Sequence, residues 1–595
     1  MTANIKNIQL DPVTKKNMDL WLDGHYDAET KKTIQRMLVE NPKEIVDAFY
    51  TNLTFGTAGL RGIMGVGCNR MNVYTVRAAT QGLANYLNKQ PASSGEHSVF
   101  IGYDSRHNSQ VFSEEAAKVL AANGIRVYLC KELRPTPLVS FGCRYKHCTA
   151  AIMVTASHNP AQYNGYKVYW NDGGQVLPPH DKGIMEEFNA ITDVTMVKSA
   201  DSLSNPLIEL VGKEIDDAYL KAITPLQNYP KENKDFGNTL KVVYTSLHGT
   251  GITLMPQALN LWGFTNQTLV KNQVVPDGDF PTVASPNPEE RSALKLGIET
   301  LLEVNGDLLI ASDPDADRVA VAINHNHEVQ TLNGNQIASL CLHHICEALS
   351  SHQALPERAA FIKSIVTTEL FQTIVDSYGR TCFNVLPGFK YIAEKIREWE
   401  VEPNGYRYVF GGEESYGYLL GTQTRDKDAI LSGVLLCEIA LHAKRHGKTL
   451  IDLMNEIYIK YGVYEEKLLS VSFEDSKEGK EQMVKSMVRL RSDPPKAFSG
   501  VTVTAIEDYQ SSVRIDLKTG VKKPLTLPKT DFLLFWLVDG SKVMIRPSGT
   551  EPKIKLYCGV FNKEFCKQGI SVANAMKECQ KRADGYLAAL RGMMM

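Results

Sequence analysis

Ser157, the trio Asp313, Asp315 and Asp317, and the Glu413-Glu414-Ser415 run are the residues whose types and spacing could do chemistry. Ala151 to Val154 reads as a short buried strand that breaks into Thr155-Ala156-Ser157-His158-Asn159-Pro160. A serine just past a buried strand is where an α/β domain exposes a reactive group. The competing reading is a turn in which Ser157 and Asn159 bond their own backbone. The aspartates sit in Ser312-Asp313-Pro314-Asp315-Ala316-Asp317-Arg318, between apolar runs at 307–311 and 319–323. Carboxylates at alternate positions of an extended segment project to one side. They repel one another, and a divalent cation is the usual relief. All-oxygen ligation favours Mg²⁺ or Mn²⁺ over zinc. An EF-hand is excluded, because its glycine position holds Arg318 and its final glutamate position holds Asn324. A solvated acidic turn is the remaining alternative.

Other stretches suit anions or sugar hydroxyls. In Phe55-Gly56-Thr57-Ala58-Gly59-Leu60-Arg61-Gly62, glycines allow close backbone approach and Arg61 could meet an anion. The dinucleotide spacing G-x-G-x-x-G is absent from it. Gly411-Gly412-Glu413-Glu414-Ser415-Tyr416-Gly417 places carboxylates beside a hydroxyl, a set suited to vicinal sugar hydroxyls. An ion-paired surface loop would look the same. Arg546-Pro547-Ser548-Gly549-Thr550 combines an arginine, two hydroxyls and an approachable amide, the parts of a phosphate clamp. Lys167 lies on an apparent returning strand, facing either the Ser157 cleft or solvent. Cys341, His343, His344 and Cys346 fall inside an apolar helical pattern and lack a second ligand pair for zinc.

These loops need elements to hold them. Residues 1 to about 50 read as polar amphipathic helices. A strand from Val99, a helix from Phe112 to Asn123 and a strand from Ile125 to Cys130 lead to the serine strand, an alternation that argues for an α/β sheet. A polar stretch near 195–215 reads as a linker or connecting helix. A second α/β pattern begins at Leu240, and a third runs from Leu332 to Tyr461. Arg425-Asp426-Lys427-Asp428 opens a helix there, its acidic start suiting the helix dipole. After about 465 the rhythm changes to short strands and a final helix. The expected architecture is four domains: 1–210, 211–325, 326–462 and a smaller α+β domain at 463–595.

Composition narrows the function. The chain is 43% hydrophobic and 22% charged, as in an ordinary globular protein. A net charge of −2 marks no nucleic-acid surface. The eleven cysteines form no C-x-x-C pair and suggest reduced thiols in the cytoplasm. No apolar run approaches the ~18 residues a membrane helix needs, and no export signal opens the chain.

Taken in order, the Thr-Ala-Ser-His-Asn-Pro, Asp-x-Asp-x-Asp-Arg, Gly-Glu-Glu-Ser and Arg-Pro-Ser-Gly-Thr-Glu-Pro loops resemble those of the α-D-phosphohexomutase superfamily. The Phe-Gly-Thr-Ala-Gly-Leu-Arg-Gly and Glu-Glu-Ser-Tyr-Gly-Tyr stretches look like its longer phosphoglucomutase branch. The resemblance implies four domains around a central cleft, three of them similar α/β domains with mixed sheets. It implies interconversion of glucose 1-phosphate and glucose 6-phosphate through phosphorylated Ser157 and a glucose 1,6-bisphosphate intermediate. Mg²⁺ would be held by Ser157, Asp313, Asp315 and Asp317. His158, Lys167 and Arg318 would line the reacting phosphoryl group, with Arg61 and Lys390 facing the cleft. Glu413 and Ser415 would bind sugar hydroxyls; Arg546, Ser548, Gly549, Thr550 and Lys555 would bind the other phosphate. Mannose or pentose phosphates, glucose 1,6-bisphosphate synthesis and a non-catalytic sugar-phosphate sensor are the alternatives. The partners expected are small sugar phosphates, with no nucleic acid or membrane, for a monomer or weak homodimer.

Overall fold

The computed structural model describes residues 10–54, 59–92, 95–474, 477–547 and 553–594. The chain forms two compact units, Met1–Asn324 with Leu419–Glu438, and His325–Tyr418 with Ile439–Met595.

The first unit begins with helices Pro12–Asp23, Ala28–Glu40 and Pro42–Phe49. Asp11, Asp27 and Asn41 cap them through their side chains, and proline opens the first and third. Apolar positions at helical spacing, among them Trp21, Ile34, Ile45 and Phe49, close into a small core of their own.

A six-stranded sheet follows, in the order Leu60–Ile63, Tyr163–Trp170, Ala150–Val154, Ser98–Tyr103, Arg126–Cys130, Ile208–Val211. The first two pairings are antiparallel and the other three parallel. The Ala150–Val154 strand is buried along its whole length, as its unbroken apolar sequence requires. Ile208–Val211 corrects the expectation of a linker near 195–215. It pairs parallel with Arg126–Cys130 at the sheet's edge, a four-residue strand with Glu209 and Leu210 exposed, set within an otherwise polar stretch.

The second sheet sets Leu308–Ser312 between Val319–His325, antiparallel to it, and Val242–Thr245, parallel to it; Gln267–Leu269 lies beyond. The aspartate stretch is the turn of that antiparallel hairpin. Gly249 permits a tight seat beneath it, since a Cβ there would lie 2.2 Å from the Pro314 Cα.

In the second unit, Thr381–Val385, Ala359–Ser364 and Arg407–Glu413 run parallel beside helices Gly334–Ser351, Glu369–Ser377 and Phe389–Val401. A C-terminal sheet of antiparallel pairs then runs from Val463–Ser472 through Lys553–Asn562, Lys542–Pro547, Leu533–Leu537, Val501–Asp508 and Val513–Asp516 to Lys522–Pro524. Helix Val572–Met594 packs on it. The fold is thus three α/β parts and a sheet-rich C-terminal part. No helix among the described residues is long and apolar enough to cross a membrane.

Candidate active site

The first unit brings Ser157 and the aspartates together. Ser157 takes φ 52°, a left-handed conformation rare for a residue with a Cβ. Its amide donates to Thr155 Oγ1 at 2.7 Å, turning the chain as it leaves the strand. Its hydroxyl donates to Asp313 Oδ2 at 2.8 Å and lies 3.3 Å from His158 Nδ1.

The hairpin turn aims all three carboxylates at one point. Ser312 and Val319 are register partners, so the six residues between them form the bend, with Ala316 at φ 49°. Asp313 Oδ1 accepts the amides of Asp317 and Arg318, both at 3.0 Å, which ties the turn across its base. Asp315 Oδ2 accepts from Lys167 Nζ at 2.8 Å and Thr136 Oγ1 at 2.9 Å. Asp317 Oδ2 pairs with Lys427 Nζ at 3.0 Å and Lys167 Nζ at 3.5 Å. One ligand oxygen from each aspartate lies within 4.8 Å of the others, all three residues being buried.

Burial and mutual repulsion set the charge state of this cluster. Burial, and then the charges of Asp315 and Asp317, push the Asp313 carboxyl well above its usual range. Burial would raise Asp315 too, but Lys167 and a hydrogen bond from Asp313 hold it low. Burial alone would depress the Lys167 ammonium; Asp315 and Asp317 more than offset this and hold it charged. Burial and the neighbouring Arg318 and Arg61 drive His158 well below its ordinary value, so its imidazole is neutral at pH 7.

A cation site fits these residues. Asp315 Oδ1 and Asp317 Oδ1 are buried with no hydrogen-bond partner, although buried acceptors are nearly always satisfied. The donors are all oxygens, the set that hard divalent cations take. Around them, Arg318 pairs with Glu289 and lies 3.7 Å from Asp317. Arg61 Nη1 donates to Asn159 Oδ1 at 3.1 Å, from a strand paired with the one that carries Lys167.

The remaining candidates belong to the second unit. Glu413 ends its strand, and its Oε1 accepts the Gly388 amide at 2.6 Å. Lys390, two residues on, lies 5.4 Å from the Tyr391 ring centroid. Ser415 is in the turn before Gly417–Leu420. Arg546 and Lys555 are register partners on adjacent strands. Ser548, Gly549 and Thr550 lie outside the described residues.

Two contacts of the aspartates, from Thr136 and Lys427, do not follow from the sequence. Thr136 caps Asp315 by side chain and also by its amide, 2.8 Å from the Asp315 carbonyl. In the sequence Lys427 reads only as part of a helix start. The available signal was four consecutive charges, Arg425 to Asp428, running straight into Ala429-Ile430-Leu431; all four are buried. Charges seldom enter a core unpaired.

Known proteins resemble this chain in sequence and fold. The sequence matches the description phosphoglucomutase/phosphomannomutase, alpha/beta/alpha domain I, over residues 52–195, domain II over 217–326 and domain III over 333–461. A curated Staphylococcus epidermidis protein named phosphoglucomutase is 36% identical over 549 residues, covering 92% of this chain and 97% of that protein. One of the same name from Staphylococcus aureus is 37% identical over 542 residues, covering 91% and 94%. The crystal structure of the phosphoglucomutase pp63/parafusin from Paramecium has the same fold, with TM-score 0.65 at 18% identity over 91% of this chain and 96% of that one. On the three matched domains and these full-length likenesses, the chain belongs to the phosphoglucomutase/phosphomannomutase family.

Proposed function

We propose that the protein is a phosphoglucomutase that interconverts glucose 1-phosphate and glucose 6-phosphate through phosphorylated Ser157. The observation that carries this reading is the Ser157 hydroxyl seated 2.8 Å from Asp313 in a buried carboxylate cluster with two orphaned oxygens. The full-length relatives named phosphoglucomutase favour glucose among the sugars.

Phosphoryl transfer depends on positioning and on neutralising charge more than on covalent help. In this reading Ser157 Oγ carries the phosphoryl group and gives it to the free hydroxyl of the bound sugar phosphate. The resulting glucose 1,6-bisphosphate turns end for end, and its other phosphoryl group returns to Ser157. Asp313, Asp315 and Asp317, with Ser157, would hold Mg²⁺, which when bound draws charge from the phosphoryl oxygens. Arg318, Arg61 and Lys167 neutralise the same group. Of the two candidate proton shuttles, the neutral His158 imidazole can take the hydroxyl's proton and the Lys167 ammonium can return one. Glu413, Ser415 and Lys390 meet the sugar, and Arg546, Ser548, Gly549, Thr550 and Lys555 the phosphate that is not in transit. The domains in this scheme are 1–210, 211–325, 326–462 and 463–595.

The test is a coupled assay with Mg²⁺ and a trace of glucose 1,6-bisphosphate, comparing glucose, mannose and ribose 1-phosphates, with Ser157→Ala alongside. Glucose 1-phosphate should be turned over fastest. The variant should lose at least about 10⁴-fold in kcat, as removal of a nucleophile does. A faster mannose or ribose reaction would change the substrate; an active Ser157→Ala enzyme would end the phosphoserine reading.

A further inference from the structure

We infer that Arg106 is a positioning residue for Ser157, a guanidinium clasp that sets the serine's backbone for phosphoryl transfer. This deepens the proposed function and rests on Ser157 being the phosphoryl carrier.

The geometry is that of one side chain collecting the carbonyls of one loop. Arg106 follows the Ser98–Tyr103 strand and is 3% exposed. Its Nη2 donates to the Ser157 carbonyl at 2.6 Å and also to that of Asn159. Its Nη1 donates to Pro160 O at 2.8 Å and Tyr163 O at 3.0 Å. The loop therefore turns these carbonyls onto a single planar cation, while the Ser157 hydroxyl bonds Asp313.

The clasp is itself held. Asp104 Oδ2 lies 3.3 Å from Arg106 Nε, and Asp104 Oδ1 accepts the Arg106 amide at 3.0 Å and Ser109 Oγ at 2.7 Å. The guanidinium carbon lies 4.9 Å from the Phe280 ring centroid. The Phe280 segment can come this close because Gly278 has no side chain; a Cβ there would lie 2.7 Å from the His107 amide nitrogen. The ion pair, the carbonyls and the ring together restrain the cation.

This matters because Ser157 is in a backbone conformation that it would not adopt unaided. A non-glycine residue at φ 52° persists when its surroundings over-determine it. Among the described residues, the donor to the Ser157 carbonyl is Arg106, so it restrains the backbone that carries Oγ. Lysine cannot replace it. An ammonium has three donors without a fixed plane, whereas the guanidinium presents a rigid fan of five.

The experiment compares Arg106→Lys, Arg106→Ala and Ser157→Ala with the parent in the glucose 1-phosphate assay. It also follows Ser157 phosphorylation by glucose 1,6-bisphosphate with intact mass, and each melting midpoint. Arg106→Ala should lose about 10²-fold in kcat, the scale of a small misplacement of a reacting atom, while KM stays within about threefold. Phosphorylation of Ser157 should slow in parallel. Added methylguanidinium should restore at least about tenfold in Arg106→Ala and nothing in Ser157→Ala or the parent, a response that a merely structural role would not give. A folded Arg106→Ala enzyme with kcat within about threefold of the parent would overturn the proposal. So would a rate loss that only tracks the unfolded fraction and ignores methylguanidinium. Should Arg106→Ala not fold, Arg106→Lys decides: a tenfold or greater loss of kcat at unchanged KM with a parental melting curve supports the clasp, and parental kcat sinks it. An active Ser157→Ala enzyme would instead remove the phosphoserine reading, a separate failure.

Discussion

Each unit buries two lysines among carboxylates, and the two arrangements end differently. In the first, Lys167 and Lys427 face Asp315 and Asp317 beside Asp313, and Asp315 Oδ1 and Asp317 Oδ1 are left without hydrogen-bond partners. In the second, Lys363 and Lys542 share Glu369 Oε1 at 3.0 and 2.7 Å. Lys542 also donates to the carbonyls of Ile365 at 2.8 Å and Thr367 at 3.1 Å, and Lys363 to Thr367 at 3.3 Å. No atom of that second set is among the unsatisfied ones. The same residue types thus make a site in one place and a brace in the other. What separates them is the surplus of acceptors: a network with orphaned oxygens has room for a ligand, and a closed one has none.

The sharpest way to break this comparison is to remove one carboxylate from each network. Asp315→Asn should lower kcat by more than about a hundredfold, because it removes a ligand oxygen from the cation site. It should also abolish any rise in melting midpoint on adding Mg²⁺, since a ligand stabilises only what it binds. Its stability without added metal should move by about 1 kcal/mol or less, because Lys167 keeps Asp317 and the carboxylates stop repelling. Urea unfolding with and without Mg²⁺, beside the coupled assay, reads all three. A large loss of stability with activity retained would make this cluster a brace as well.

Glu369→Gln is the converse. It leaves two buried ammoniums without their shared counter-charge, and breaking a buried pair costs about 3–5 kcal/mol. Burial would raise the Glu369 carboxyl, but Lys363 and Lys542 hold it well below the usual range. Its stabilisation is therefore present above the unfolded carboxylate value of about 4.3 and lost as pH falls below it. The variant should unfold at lower urea than the parent at pH 7, and the gap should narrow toward pH 3. Its kcat, measured well below the melting midpoint, should stay within a few-fold. An equal gap at both pH values would show that Glu369 does not act through its charge.

These two regions were unequally legible in the sequence. The serine and aspartate loops are short contiguous strings whose function sits in their own spacing, so they could be read directly. Arg106 and Lys427 act on partners far along the chain, Lys427 on Asp317 and Arg106 on carbonyls 51 to 57 positions away. Nothing local distinguishes Arg106 from a solvated charge, and the one local mark of Lys427 is the charged run Arg425 to Asp428 entering an apolar helix. Lys542 is harder still, being a lone lysine in a strand whose burial follows from the loop after Ala359–Ser364. Glu413 was legible as a carboxylate in a turn, but its bond to the Gly388 amide depends on the packing of the parallel sheet. The α/β rhythm carried over into the structure, whereas the edge strand Ile208–Val211 was not legible, since four residues with Glu209 among them are too short an apolar run to stand out from the polar stretch around them.

The smallest expected effect tests whether the brace is closed against protons too. Glu466 lies beside Lys542, where a Cβ at Gly559 would meet both side chains. Burial pushes its carboxyl up to about 7, while Thr368 and Lys542 pull the other way. A raised carboxyl contributes stability below its unfolded value that is lost as pH rises through the folded one. Parent and Glu466→Gln should therefore unfold alike near pH 4. The variant should be more stable by about 1 kcal/mol at pH 8.5, a figure already discounted for partial exposure. Urea midpoints at the two pH values decide it. If the parent is the more stable at pH 8.5, Glu466 pairs with Lys542 as a full charge, and the second network balances two lysines with two carboxylates.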